Sequence, residues 1–146
     1  MLDPIERLNL FERLAREAGE AIMHVRAEGF AVEEKGDASP VTLADRAAEA
    51  IILHGLREAM PDVAIVAEEE ASAGMAPERV GRSFLLVDPL DGTREFVRGG
   101  EDFTVNIALV EDGAPVAGVV HVPATGATYS GNATGNGGGG SAGGGL

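Results

Sequence analysis

The chain of 146 residues contains no cysteine, which removes disulfides and thiolate metal ligands and makes a reducing cytoplasm the expected compartment. Lysine is nearly absent too: Lys35 is the single one, and the other basic side chains of fixed charge are all arginines. A count of 11 Lys and Arg against 24 Asp and Glu leaves a net charge of −13. Such a surface repels nucleic acid polymers and anionic membranes, so neither is an expected partner. No apolar run approaches the ~18 residues of a membrane span, and Met1-Leu2-Asp3-Pro4-Ile5-Glu6 lacks the basic-then-apolar layout of a secretory signal. What remains is an acidic chain of ordinary single-domain size, 45% hydrophobic, with apolar residues enough for a core. If such a chain handles a phosphate ester, something positive must first neutralise its carboxylates, and a divalent cation is the usual solution.

Apolar residues Ile5, Leu8, Phe11, Leu14, Ala18, Ile22 and Val25 recur every three or four positions, which predicts an amphipathic helix from Asp3 to about Arg26, with Asp3 as cap and Pro4 in the first turn. Gly29 breaks the pattern, and the extended Phe30 to Glu34 leads into the loop Lys35-Gly36-Asp37-Ala38-Ser39-Pro40. A second helix is expected from Thr42 to about Met60, burying Ala47, Ile51, Ile52, Leu56 and Ala59, with Pro61 ending it. The short apolar runs Val63 to Ala67 and Ser83 to Val87 read as central strands with carboxylates at their C-terminal ends, Glu68-Glu69-Glu70 and Asp88. Ala71 to Arg82 between them is a polar loop.

Phe103 to Val110 and Pro115 to Val122 flank Glu111-Asp112-Gly113-Ala114, and Asp-Gly suits the type I′ turn of a β-hairpin. A short strand from Ala127 to Ser130 is expected to follow. From Gly131 onward, 9 of 16 residues are glycine and almost nothing apolar is left to pack. Residues 1–130 therefore read as one domain and 131–146 as a Gly-rich tail or linker. Helices followed by strands give an α+β layer: two N-terminal helices on a largely antiparallel sheet.

The sharpest chemical signal is Asp88-Pro89-Leu90-Asp91-Gly92-Thr93, directly after an apolar strand. Pro89 and Gly92 predict a tight turn that lets both carboxylates face one point, with the Leu90 carbonyl turned toward it. Hard oxygen ligands so arranged suit Mg²⁺, although two aspartates around a turn are also what a turn needs for its own sake. Glu68 ends the neighbouring strand, and three carboxylates gathered at one sheet edge are costly without a cation between them. Glu70 and Glu69 fit a solvated acidic loop.

With Ser39-Pro40-Val41-Thr42-Leu43-Ala44-Asp45 upstream, Ala67-Glu68-Glu69 in the middle and Asp88 to Thr93 downstream, the chain resembles the inositol monophosphatase superfamily of Mg²⁺-dependent, lithium-sensitive phosphatases, from the first helix to about residue 130. Within it, Thr93-Arg94-Glu95-Phe96 and the run Gly100-Glu101-Asp102-Phe103-Thr104-Val105-Asn106-Ile107-Ala108-Leu109-Val110 look most like the 3'(2'),5'-bisphosphate nucleotidase branch. The resemblance implies that Glu68, Asp88, Asp91 and the Leu90 carbonyl hold Mg²⁺, and that Gly92 and Thr93 meet the phosphate through backbone N–H groups and a hydroxyl. It further implies that Asp45 and Thr93, aided by the cation at Glu68, orient or deprotonate the attacking water. On residue chemistry alone, Thr42-Leu43-Ala44-Asp45 fits a helix-capping box equally well. Lys35 could approach the metal or phosphate or simply be solvated. His24 and His54, within helices, read as structural or surface residues, and His121, in a strand, has no metal-ligand spacing with either.

The chain also departs from that family. Members are nearly twice as long, and their second half supplies a Trp-Asp motif and most of the substrate pocket, whereas this chain has no tryptophan and runs into glycine. The expectation is the first domain of a sugar-phosphatase fold without its C-terminal α/β domain. A half-fold of this kind exposes a face open to homodimerisation or poor solubility. The expected activity is phosphomonoester hydrolysis on a small phosphate ester, 3'-phosphoadenosine 5'-phosphate first. An inositol or sugar phosphate, or a noncatalytic metal-binding fragment, are the alternatives.

Overall fold

A computed structural model describes residues 2–28, 39–67 and 82–133. Helix α1 spans Pro4–Ala27 and begins as expected. Asp3 accepts from the Glu6 N–H at 2.8 Å while the Glu6 carboxylate accepts from the Asp3 N–H at 3.0 Å, and Pro4 takes the first turn. Helix α2 spans Pro40–Ala59 and starts two residues earlier than expected. Its cap is Ser39, whose hydroxyl accepts from the Thr42 N–H at 3.2 Å, so Thr42 lies inside the first turn and does not itself cap a box ending on Asp45. A third, short helix, α3 at Thr93–Arg98, was not anticipated.

Five strands follow the order β1 (Ala64–Ala67), β2 (Ser83–Asp91), β3 (Thr104–Glu111), β4 (Ala114–Val122) and β5 (Ala127–Asn132), each paired with its neighbour in sequence. Only β1 and β2 run parallel, with Ala67 opposite Val87; the other pairs are antiparallel. The α+β expectation holds, with one correction: β1 is an edge strand among those described, not a central one. The β3–β4 hairpin closes on Asp112 (φ 52°) and Gly113 (φ 83°), the two left-handed positions a type I′ turn requires. Strand β5 reaches Asn132, two residues beyond Ser130, and residues 134–146 of the expected tail lie outside the described part.

One sheet face packs on α1 and α2. Along the strands the buried residues alternate (Leu85 and Val87; Val105, Ile107 and Leu109; Ala117 and Val119) and meet Phe11, Leu14, Ala18 and Ile22 of α1 and Ile52 and Leu56 of α2. The helices approach closely because position 55 is glycine: a Cβ there would come within 2.4 Å of Leu14 Cδ2. The buried stripe of α2 is Ala44, Ala48, Ile52 and Leu56, rotated from the expected one, and Ile5 is 71% exposed rather than buried. On the opposite face Leu86, Ala108, Val116 and Val120 line an open cavity of about 570 Å³ together with Asp88, Asp91 and Asn106.

Candidate functional site

The Asp88–Asp91 segment is not a tight turn. It continues β2, and the register with β3 passes from Asp88↔Asn106 to Asp91↔Thr104, three steps on one strand against two on the other. That extra residue is a β-bulge. In a regular strand, residues three apart point to opposite faces; one inserted residue restores them to the same face. The two buried neighbours in succession, Pro89 and Leu90, mark the insertion. Pro89 has no N–H to give a ladder and is tolerated where pairing is interrupted. Asp88 and Asp91 accordingly border the same space, by a different device from the one expected.

The turn comes one residue later. Gly92 has φ 92°, and a Cβ there would sit 2.8 Å from the Asp102 carbonyl oxygen and 3.2 Å from Phe103 Cα, so both conformation and space restrict the position to glycine. Thr93 then opens α3. The helix is held from behind: Phe96 and Phe103 meet edge to face at 5.4 Å and 87°, and the Arg26 guanidinium lies over both rings at 5.3 and 5.0 Å. The end of α1 is thereby tied to the turn.

From α2, the cap at Ser39 sets the helical phase that places Val41, Thr42, Asp45 and Glu49 along one side, three and four residues apart. These four meet Ala67 of β1, the Asp88–Asp91 bulge, Gly92 and Thr93 around a cleft of about 370 Å³. The structure thus brings together Asp45, Asp88, Leu90, Asp91, Gly92 and Thr93 of the expected site. Glu68 and Lys35 fall outside the described residues, although Ala67, directly before Glu68, lines the cleft. Two residues were missed. Glu49 follows Asp45 by one helical turn, a spacing visible once the phase of α2 is known. Asn106 lies opposite Asp88 on β3, and its Nδ2 reaches Asp91 Oδ2 at 3.5 Å.

Four carboxylates, Asp45, Glu49, Asp88 and Asp91, line this cleft, and no described lining residue is cationic. Among the described residues the carboxylates do not close into a ready group of three metal ligands; they ring the space. The donors are oxygen throughout, as a hard divalent cation prefers, and Asn106 Oδ1, a buried acceptor without a partner among the described residues, stands beside them. The residues present fit Mg²⁺. The histidines take no part: His24 and His54 lie on exposed helix surfaces near Glu28 and Glu58 at 3.5 and 3.9 Å. His121 is buried against α1 and shares a 2.8 Å hydrogen bond with Thr128 Oγ1.

The fold is an α+β layer with a carboxylate-lined cleft beside the Gly92 turn. The chain belongs to the inositol monophosphatase family, whose model matches residues 3–139. The 3'(2'),5'-bisphosphate nucleotidase CysQ of Salmonella typhimurium is 50% identical over 113 residues, covering 76% of this chain and 46% of the relative. Its counterpart in Escherichia coli K12 is 46% identical over 120 residues, or 81% and 48%. In structure, the chain matches CysQ from Bacteroides thetaiotaomicron with a TM-score of 0.70 and 33% identity over 86% of this chain and 44% of that one. An inositol monophosphatase from Zymomonas mobilis matches with a TM-score of 0.74 and 33% identity, over 92% and 50%. The chain spans about half the length of the relatives it matches.

Proposed function

We propose that this chain carries the cation-binding part of a Mg²⁺-dependent phosphomonoesterase whose substrate is a 3'(2'),5'-bisphosphate nucleotide such as 3'-phosphoadenosine 5'-phosphate. The observation that carries the reading is the cleft itself: Asp45, Asp88, Asp91, Gly92 and Thr93, drawn from two separate segments, border one space lined by four carboxylates. The nucleotide class rests on the CysQ relatives, at 46–50% identity. Asp88, Asp91, the Leu90 carbonyl and Glu68 would hold the cation, which when bound would offset phosphoryl charge and acidify an attacking water. Gly92 presents its backbone to the phosphate because no side chain stands in the way, and Thr93 adds a hydroxyl. Asp45 takes the proton that Thr93 relays, a carboxylate and hydroxyl bordering the same cleft.

A second reading, a cation-binding fragment without turnover, draws on the chain's spanning only 46–48% of its CysQ relatives. Phosphate release from 3'-phosphoadenosine 5'-phosphate and inositol 1-phosphate, with Mg²⁺ and with EDTA, separates the two. Mg²⁺-dependent release, faster from the nucleotide, is the expected outcome; stabilisation by Mg²⁺ with no release from either ester assigns the fragment reading, and faster release from the inositol ester reverses the substrate assignment.

A further inference from the structure

Resting on the cation-site reading, we propose that Asn106 is a positioning residue that sets the orientation of the Asp91 carboxylate. Asn106 faces Asp88 across the β2–β3 ladder, and Asp88, Asp91 and Asn106 border the same cavity on the open face of the sheet. Its Nδ2 donates to Asp91 Oδ2 at 3.5 Å. The amide can point only this way, because a carboxylate solely accepts and would repel the amide oxygen. At 3.5 Å the contact is long for a charge-assisted hydrogen bond.

Two features distinguish this asparagine from an ordinary strand residue. The bulge that brings Asp91 onto the face of Asp88 also leaves Asp91 at the end of the ladder, where backbone pairing alone fixes it least. Its neighbour's amide is then the group that limits the carboxylate's rotation. Furthermore, among the described residues Asn106 Oδ1 is buried without a hydrogen-bond partner, and the hydrogen bond its side chain makes there is to the site carboxylate. Partners that orient a ligating carboxylate typically change cation affinity by about 10–100-fold when removed.

Mg²⁺ titration of the whole chain by calorimetry, comparing the natural sequence with Asn106→Leu and Asn106→Ser, tests this. Asn106→Leu keeps the side chain's volume without its donor and is expected to weaken Mg²⁺ binding about 10-fold or more while leaving the cation-free melting temperature in place; Asn106→Ser, which keeps a donor, recovers part of the loss. Equal affinity in the natural chain and Asn106→Leu overturns the inference alone. No Mg²⁺ uptake by the natural chain overturns the site reading and the inference with it. Should Asn106→Leu fail to fold, the Asn106 side-chain amide resonances of the cation-free chain decide: Asp91→Ala should move them, and unmoved resonances contradict the contact.

Discussion

At Gly92 a single hydrogen atom separates a working turn from a collision. With φ at 92° and the Asp102 carbonyl 2.8 Å from where a Cβ would stand, Gly92→Ala meets both backbone strain and a contact with main chain that has no rotamer to move. We expect a loss of stability of about 1–3 kcal/mol, read by urea unfolding, together with weakened Mg²⁺ stabilisation because Asp91 precedes the turn. A Gly92→Ala chain as stable as the natural one would show that the turn relaxes freely. The identities of Asp45, Asp88, Asp91, Gly92 and Thr93 as neighbours were legible from motif order. Asn106 was not, since a lone polar residue in an apolar strand acquires meaning only when the register puts Asp88 opposite it.

Between elements, the junction of α1 with β4 and β5 is polar where the rest of the core is not. Ser130 donates to Glu12, Arg7 Nη2 donates to Asn132 Oδ1 at 3.2 Å, and His121 bonds Thr128. Burial, then the positive charge of Arg16, holds the His121 pKa below its ordinary 6.5, against the opposing pull of the Ala127 backbone and Glu20. The unfolded chain therefore binds a proton at this site before the folded one does as pH falls. This contribution to stability is complete above about pH 6.5 and is lost below it, at up to about 1.4 kcal/mol per pH unit. His121→Gln should flatten the fall in stability between pH 6.5 and 5 relative to the natural chain; parallel curves would place no such proton linkage at His121. Element boundaries were legible where a cap sat next to a periodic run, as at Asp3-Pro4. They failed at α2, where Ser39-Pro40 repeats the cap-and-proline pattern of Asp3-Pro4 but reads as part of the preceding loop, and at β2 because a bulge breaks the period of two that sequence reading relies on. Helix α3, with 6 residues, is too short to show a helical period.

Taken whole, the molecule carries a net charge of −13 and gathers four of its carboxylates around one cleft, where a nearby positive charge would be favourable. The described helices are all too short or too polar to cross a membrane. With the chain spanning about half of its relatives, the proposed cation binding draws on fewer residues than the proposed turnover does. The most direct measurement is thermal unfolding of the natural chain and of Asp91→Asn as Mg²⁺ is raised. At 100 times its dissociation constant the ion should stabilise the natural chain by about 2.7 kcal/mol, a rise of several degrees in Tm, with little or no rise for Asp91→Asn; equal Tm shifts in both chains, or none in the natural one, would contradict a cation site built on this cleft.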